Sequence, residues 1–417
     1  MPRPDRAARI ANALWGLFIG DALAMPAHWF YNRENLRAAF DGGVTGYEDA
    51  RHPHPEAFML GMTYQPDLEG AARLSRPYDI LHENARFYRT NYATFEFDLS
   101  AREGEHGNAT AAAPERYHYH HGLKAGEMTV NAQLVRVLMR SVVEAGRYDP
   151  VAFLETMVAH MTTPGRNHDP YTEVFLRRWF ERWTAGAPIT QAAVTQREVW
   201  SVGSHGGMPR PMLVAMMGAD AYEGIGHALE HQVLTHRSET LAGSLAMLIP
   251  VLHALLEGAE PLATLRALAA RVRLPAIRGA DLFARYREAQ GPNNIPDREM
   301  YEIHTRLEEA PMDLDALHAM GDEAVVRTLI STACYTEHGL PMMLFHATLH
   351  GCDMEATLLA NANAGGDNVN RALPLGLLLG AAGAEAPTHL KEGLAGSAEL
   401  SREIGEFAEM AARGGLF

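Results

Sequence analysis

The chain has 417 residues, of which 47% are hydrophobic and 21% charged, so it can bury a sizeable core and is not a disordered protein. The formal net charge is −15 at pH 7 and no basic stripe is present, which excludes a general nucleic-acid binder. Only Cys334 and Cys352 are cysteines, which excludes a disulfide framework and a cysteine-based zinc site and favours a reducing, cytoplasmic setting.

The N-terminal segment MPRPDRAARIANALWGLFIGDALAM combines a basic flank with an apolar stretch that Asp21 interrupts. We expect a helix near residues 5–19 that is too short to span a bilayer. The segment lacks a convincing small-residue cleavage site, so we do not expect a signal peptide. No other segment is expected to reach transmembrane length, and we therefore predict no membrane partner.

Residues 31–119 differ from the rest because proline, glycine, asparagine, histidine and aromatic residues crowd together there. Several of the 21 histidines fall here, in HPH at 52–54 and in RYHYHH at 116–121. We predict a long irregular insertion with one helix at 79–90, acting either as a lid or as surface decoration. Its aromatic residues would either stack on a base or sugar, or form a cluster that anchors the loop.

The remaining sequence is dominated by helical periodicity, with few alternating stretches and no βαβ rhythm, so we predict an all-α protein. The segment 239–258 is apolar on nearly every side, which indicates a buried helix. Further helices are predicted at 130–146, 150–162, 172–184, 261–273, 280–289, 298–309, 322–333, 353–362 and 370–382.

Two motifs place polar side chains at helix ends. In GDALAMPAHWF (20–30), Asp21 follows an apolar helix and precedes His28; the alternative is that Asp21 only caps local backbone amides. In HHGLKAGEMTVNAQL (120–134), Thr129 and Asn131 lie at a helix N-terminus, which suits polar or anionic ligands. Plain N-capping by Thr129 is the alternative there.

Three further motifs follow along the chain. SVGSHGGMPRPM (201–212) is a glycine-rich loop with His205 and Arg210, or an ordinary interhelix loop. LTHRSETLAGS (234–244) places His236 before a buried helix, where a histidine is often structural. NANAGGDNVNRALPLGLLLGAAGA (361–384) places Asp367 in a glycine turn before a helix whose small residues allow close packing.

The order of these five motifs resembles that of the ADP-ribosylglycohydrolase family. That family includes a jellyfish lens crystallin, and it also includes the hydrolases that remove ADP-ribose from dinitrogenase reductase. The similarity covers residues 8–30, 120–146, 201–258 and 353–384. The resemblance implies an ADP-ribosylglycohydrolase-like orthogonal helix bundle over residues 1–417, a single domain with a central cleft. In active relatives two Mg²⁺ or Mn²⁺ ions in that cleft grip ribose hydroxyls, and an activated water attacks the anomeric carbon.

The ligand runs of that family are largely replaced in this chain. A Thr-Asp-Asp run aligns with Thr129-Val130-Asn131, and an Asp-x-Asp-Thr run aligns with Asp367-Asn368-Val369-Asn370. Asp367 is the only carboxylate retained, and His28 replaces a glutamate. Mg²⁺ prefers octahedral oxygen coordination with carboxylates. We therefore do not expect the two-metal mechanism, although Mg or Mn stays open by resemblance.

We predict a hydrolase that cleaves a glycosidic (N- or O-ribosyl or sugar) bond of a small sugar- or nucleoside-like substrate. A non-catalytic ligand-binding or structural protein is the alternative, and a single-metal site of Asp367 with His28, His121 or His205 is a third. Glycoside cleavage typically needs two carboxylates. We expect catalytic roles for Asp367, Asp21, His28 and His236, and substrate contacts from Thr129, Asn131, His205, Gly206, Arg210, Gly365, Gly366, Asn368 and Asn370.

Overall fold

The computed structural model of the protein describes residues 6–54, 56, 64–82, 118–288, 299, 302–303 and 306–417. Helices dominate these residues, and the predicted all-α class is confirmed. The helices of the first half are α1 (Arg6–Ala24), α2 (Arg33–Ala39), α3 (Leu68–Leu74), α4 (Val130–Ala145), α5 (Pro150–Thr162), α6 (Val174–Thr184), α7 (Pro209–Met216) and α8 (Ala221–Thr235).

The second half continues the helical architecture and adds one small sheet. Its helices are α9 (Glu239–Leu256), α10 (Pro261–Ala269), α11 (Gly279–Glu288), α12 (Leu314–Met320), α13 (Asp322–Val325), α14 (Thr336–Leu349), α15 (Met354–Ala364), α16 (Asn368–Ala381), α17 (Thr388–Gly393) and α18 (Ser397–Arg413). Strands β1 (Arg273–Pro275) and β2 (Leu307–Pro311) pair antiparallel, with Arg273 opposite Pro311 and Pro275 opposite Leu307. Short 3₁₀ helices cover Met25–Ala27, Ile189–Gln191, Trp200–Gly203 and His205–Gly207.

Three predicted helices differ from the structure in part of their described residues. Residues 79–81 are not helical, and the predicted 79–90 helix lies outside the described residues beyond residue 82. Residues 299, 302 and 303 are helical as predicted, but residues 307–309 belong to β2, because pairing with β1 overrides the local helical pattern. The predicted 322–333 helix ends at Val325, two residues before Arg327 adopts a left-handed φ of 73°. The 31–119 segment also contains α2 and α3, so it is less irregular than predicted.

The core of the fold is the pair formed by α1 and α16. A Cβ added at Gly16 would collide with the backbone of Gly376, and one added at Gly20 would lie 3.1 Å from the carbonyl oxygen of Ala372. The predicted close packing of the small-residue helix is therefore present. Residue numbers rise along α1 as they fall along α16 at these contacts, so the two helices run antiparallel. This places the C-terminal end of α1 beside the N-terminal end of α16.

Two helical segments, Arg6–Ala27 and Glu239–Leu256, are long and apolar enough to cross a membrane by length and composition alone. The expectation that no segment reaches that length is therefore wrong. Of the most apolar 18-residue window in the first segment, 89% is buried inside the protein. Of the corresponding window in the second segment, 50% is buried. Burial of this kind is typical of core helices, which pass the same length and composition test.

Candidate active site

Asp367 lies in a turn that is held tightly by the backbone. Gly365 and Gly366 have φ values of 67° and 63°, a region that favours glycine. A Cβ on Gly365 would collide with the carbonyl oxygen of Phe30, and one on Gly366 with that of Thr332. The Gly366 N–H donates to Phe30 at 2.9 Å. The two glycines, predicted as substrate contacts, therefore join the turn to neighbouring backbone and aim Asp367 at the end of α1.

The carboxylate of Asp367 is fully buried and surrounded by nitrogen donors. Its Oδ1 lies 2.9 Å from His28 Nε2, 2.9 Å from Asn370 Nδ2 and 3.4 Å from Trp29 Nε1. His205 Nε2 lies 3.2 Å from Oδ2, but the geometry of its hydrogen bond favours the Asp367 backbone carbonyl at 3.1 Å. Oδ2 consequently lies close to the His205 ring and has no hydrogen-bond partner among the described residues.

These contacts make Asp367 a stably ionised carboxylate. Burial raises the pKa of this group, but the close approach of His205 and the hydrogen bond from His28 outweigh burial and hold its pKa well below the usual range. Asp367 is also the N-cap residue of α16, although its side chain makes no capping hydrogen bond. The positive end of the helix macrodipole further favours a negative charge at this position.

A buried amide and guanidinium network adjoins this carboxylate. Arg210 Nη1 donates to Asn131 Oδ1 at 2.6 Å, and Asn131 Nδ2 donates to Asn370 Oδ1 at 2.8 Å and to the Gly206 carbonyl at 3.0 Å. Burial lowers the pKa of Arg210 to about 10, so the guanidinium stays protonated at neutral pH. Arg210 Nε and Nη2 have no hydrogen-bond partner among the described residues.

Glu173 is a second buried carboxyl group at this place. A Cβ built on Gly206 would lie 3.0 Å from the Asn370 side chain and 3.1 Å from Glu173 Oε2, so the two side chains meet at Gly206. Burial raises the pKa of Glu173 to about 8, and the negative charge of Asp367 raises it further than Arg210 lowers it. Glu173 Oε1 has no hydrogen-bond partner in the described part of the chain.

A chain of buried side chains leads away from Asp367. His28 Nδ1 lies 2.6 Å from His120 Nε2, and His120 Nδ1 lies 2.8 Å from Asp169 Oδ1. All three residues are almost completely inaccessible to solvent. His28, predicted as a catalytic residue, thus contacts Asp367 on one side and a second histidine on the other.

Asp21 and His236, the other predicted catalytic residues, have different partners. Asp21 Oδ2 accepts from the Thr129 N–H at 2.8 Å and Oδ1 from the Thr129 hydroxyl at 2.6 Å. Burial raises the pKa of Asp21 to about 7. His236 Nδ1 bonds the hydroxyl of Thr235 at 2.8 Å, and its ring packs 4.2 Å from that of Phe175. Neither side chain has a hydrogen bond to Asp367 among the described residues.

Asn368 continues the turn with mainly local contacts. Its Nδ2 donates to the Ala362 carbonyl at 2.9 Å, and its backbone carbonyl accepts from Asn361 Nδ2 at 2.9 Å. These bonds close the end of α15 onto the start of α16. Asn368 Oδ1 alone has no hydrogen-bond partner in the described residues, so it is the one atom of this side chain that a ligand could use.

The side chains aligned with the ligand runs do not fit a pair of divalent cations. Val369 lies in an apolar cluster with 1% of its surface exposed, and Val130 is equally buried. The amide oxygens of Asn131 and Asn370 already accept hydrogen bonds, and the nearby Arg210 guanidinium would repel a cation. The described residues contain no group of three or more His, Cys, Asp or Glu side chains placed to hold a metal ion.

Three residues of this constellation, namely His120, Asp169 and Glu173, were not predicted from sequence. Asp169 and Glu173 lie in RNHDPYTEV (166–174), just before α6. Two acidic residues in a short polar segment before an amphipathic helix are the signal that could have identified them. His120 lies in RYHYHH, whose histidine content is conspicuous but carries no positional information.

Comparison with known proteins agrees with this architecture. A family model described as ADP-ribosylglycohydrolase matches residues 2–415. A solved structure described as "ADP-ribosylglycohydrolase-related protein complex" is similar with a TM-score of 0.51 and 17% sequence identity, over 98% of this chain and 99% of that chain. At this identity the similarity shows the fold alone. A search of curated proteins gives no match.

Proposed function

Because this chain belongs to the ADP-ribosylglycohydrolase family, we propose that it hydrolyses a glycosidic bond of a small ribosyl- or sugar-containing molecule without a pair of metal ions. The family supports a glycohydrolase-like function at a coarse level. The site described above supports the metal-independent chemistry.

The observation that carries the proposal is the opposite protonation of two neighbouring buried carboxyl groups. The hydrogen bond from His28 and the close approach of His205 keep Asp367 ionised, whereas burial raises the pKa of Glu173 to about 8. At neutral pH one group is therefore a base and the other an acid. Carboxyl pairs whose environments separate their pKa values in this way are typical of acid–base sites.

These protonation states match the two roles that glycoside hydrolysis requires. Glu173 donates its proton to the leaving-group oxygen or nitrogen as the glycosidic bond breaks. Asp367 acts on the anomeric carbon, either by taking a proton from the attacking water or by attacking directly. Asp367 Oδ2 and Glu173 Oε1 are the atoms available for these roles, because neither has a hydrogen-bond partner among the described residues.

Arg210 supplies the fixed positive charge of the site. Its Nε and Nη2 atoms are buried without partners among the described residues, whereas Nη1 is anchored on Asn131. A guanidinium presents several donors in a rigid plane, which suits adjacent hydroxyl groups or a phosphate. We assign Arg210 to substrate binding and Asn131, Asn370 and Gly206 to positioning around it.

Glu173 replaces Asp21 as the proposed partner of Asp367. Both oxygens of Asp21 accept hydrogen bonds from Thr129, so Asp21 joins the end of α1 to the start of α4. His205 acts by orienting Asp367. His236 packs on Phe175 and lies beside Gly207, so we assign it to stabilising the loop that carries His205.

The proposal is tested with the purified full chain and a panel of probes, namely p-nitrophenyl ribofuranosides of both anomers, inosine and ADP-ribosylated arginine. Release of the leaving group by the wild-type chain, and its loss in Asp367→Asn, supports the proposal. Asp353→Asn is the matched control, because Asp353 is the exposed N-cap residue of α15 and its side chain accepts a hydrogen bond from the Ala356 N–H rather than from a residue of the site. Calorimetric binding of a probe without turnover would instead support a non-catalytic ligand-binding protein and overturn the proposal.

A further inference from the structure

The line Asp367–His28–His120–Asp169 joins two carboxylates through two imidazole rings. The three bonds in it are 2.9 Å, 2.6 Å and 2.8 Å long, and each ring uses both of its nitrogens. The rings are nearly stacked, with centroids 4.8 Å apart and planes tilted by 18°. The ring of Tyr171 lies edge-on to both, at 5.8 Å and 5.6 Å.

Both ends of this line can only accept hydrogen bonds. Asp169 accepts from the Tyr171 N–H at 3.0 Å through Oδ1 and from the Val130 N–H at 2.8 Å through Oδ2, so each oxygen already faces a backbone donor. Asp367 Oδ1 accepts from Asn370 in addition to His28. An ionised carboxylate has acceptor capacity only, and backbone donors favour that form.

The number of protons on the two rings follows from these bonds. Each bond to a carboxylate needs one imidazole N–H, and the bond between the rings needs one more. Three protons on four ring nitrogens leave one imidazole neutral and make the other an imidazolium. Net charge along the line is then −1, in place of the −2 that two neutral rings would leave.

We infer that His28 and His120 hold one shared positive charge between Asp367 and Asp169, and that Asp169 and His120 are positioning residues that keep Asp367 ionised through His28. The catalytic consequence rests on the proposed function, whereas the charge itself does not. Burial lowers the pKa of His28 to about 4, and the hydrogen bond to Asp367 opposes that shift.

The neighbouring histidines His54 and His118 are neutral, so they differ from the pair formed by His28 and His120. His54 Nδ1 accepts from the backbone N–H of Glu56 at 3.0 Å, and His118 Nδ1 accepts from that of His120 at 3.0 Å. A ring nitrogen that accepts is not protonated, so His54 and His118 are neutral. Burial also lowers the pKa of both rings. The charged and titratable groups facing the pair are Asp367 on α16, Asp169 before α6, Asp21 on α1, and His54 and His118 from the insertion.

This arrangement supplies positive charge where cations would otherwise neutralise the site. The shared proton compensates Asp367 from one side, and the Arg210 guanidinium lies on the other side of Asn370. Both charges are fixed by buried partners, so Asp367 stays ionised in a low-dielectric interior. Positioning by Asp169 is indirect, since it contacts His120 and the start of α4.

The charge is tested by ¹⁵N NMR of the full chain labelled at histidine, at pH 7.5 and 8.5. Wild type is expected to show an imidazolium signal at both values, when exposed histidines are mostly neutral. Asp169→Asn and His120→Gln are expected to abolish it, and His118→Gln, a buried control in the same segment, is expected to retain it. Neutral rings throughout the wild type, or an imidazolium unaffected by Asp169→Asn, would overturn the inference.

A second readout separates positioning from mere packing. In Asp169→Asn the acidic limb of the kcat profile is expected to move up by about one pH unit or more, with KM changed by less than about twofold. The basic limb, set by Glu173, is expected to move slightly down, because the charge of Asp169 helps to raise the pKa of Glu173. An unmoved acidic limb in a variant of wild-type stability would contradict the role of Asp169. If no probe is turned over by wild type, the proposed function fails and the NMR result alone decides the charge.

Discussion

His28 Nε2 donates to Asp367 Oδ1 at 2.9 Å, although the two residues are 339 positions apart. The contact exists because α1 and α16 cross antiparallel on facing glycines, so the segment after α1 meets the turn before α16. Helix packing in the core therefore sets the geometry of the acidic site directly. Changes to the glycine crossing and to the site are expected to have separable effects on stability and on activity.

Asp367→Asn is expected to lower kcat by about 10²–10⁴-fold, because the amide cannot act as a base or nucleophile. The amide is nearly isosteric, so circular dichroism should show an unchanged helix content. Steady-state kinetics on the best ribosyl probe measures the effect, with Asp353→Asn as the control. Wild-type turnover in Asp367→Asn would refute the assigned role of this carboxylate.

Glu173→Gln is expected to alter how stability depends on pH. The folded-state pKa of Glu173 is raised from its ordinary value of 4.5 to about 8, so between these values the native state holds a proton that the unfolded state has lost. The free energy of unfolding therefore falls as pH rises through this window, by up to about 1.4 kcal/mol per pH unit from this group.

Replacing Glu173 by glutamine removes the contribution of this carboxyl group to the pH dependence of the free energy of unfolding. Urea unfolding from pH 5 to 8 should show a shallower decline for Glu173→Gln than for wild type, and kcat should fall because the proton donor is gone. The exposed Glu392→Gln serves as the control and should leave the slope unaltered. The same slope in Glu173→Gln and wild type would show that Glu173 is ionised in the native state.

Val369→Asp restores a carboxylate at the aligned metal-ligand position, but it is expected to destabilise the protein rather than create a metal site. Val369 is 1% exposed and packs in a cluster with Met25 and Phe30. An unpaired carboxylate there should cost about 3 kcal/mol or more. Denaturant unfolding measures the loss, and titration with MnCl₂ should show no added binding. Stoichiometric Mn²⁺ binding by this variant would argue that the cleft still accommodates cations.

Gly376→Ala tests the helix crossing that positions the site. The new methyl group would collide with the backbone of Gly16, and separating the helices should cost about 3 kcal/mol. Gly226→Ala is the matched control, because a Cβ at this position in α8 has no atom within 4 Å. It should stabilise by about 0.5–1 kcal/mol through helix propensity. Equal melting temperatures for the two variants would contradict the crossing.

Sequence patterns predicted the parts of this account that depend on local periodicity and motif order. The helical class, the small-residue packing of α16 and the polar turn at Asp367 follow from repeats and glycines that can be read along the chain. The resemblance added the expected neighbours of that turn, and His28 and His205 both contact Asp367.

The remainder depends on long-range contacts that no spacing encodes. Glu173 meets Gly206 and Asn370 only after α6 and the glycine loop fold over α16, and Asp169 meets His120 only after the insertion returns to α4. Asp21 was predicted as the second carboxyl because it lies in a matched motif. Its pairing with Thr129 depends on how α1 ends against α4, which the motif does not specify.

The central claim, hydrolysis at Asp367 without metal ions, is tested most directly by assaying chelator-treated protein whose metal content has been measured by elemental analysis. Metal-free wild type should turn over the best ribosyl probe with unchanged kcat/KM, and added Mg²⁺ or Mn²⁺ should have no effect. Activity that disappears with the metal and returns on adding Mg²⁺ or Mn²⁺ would contradict the account.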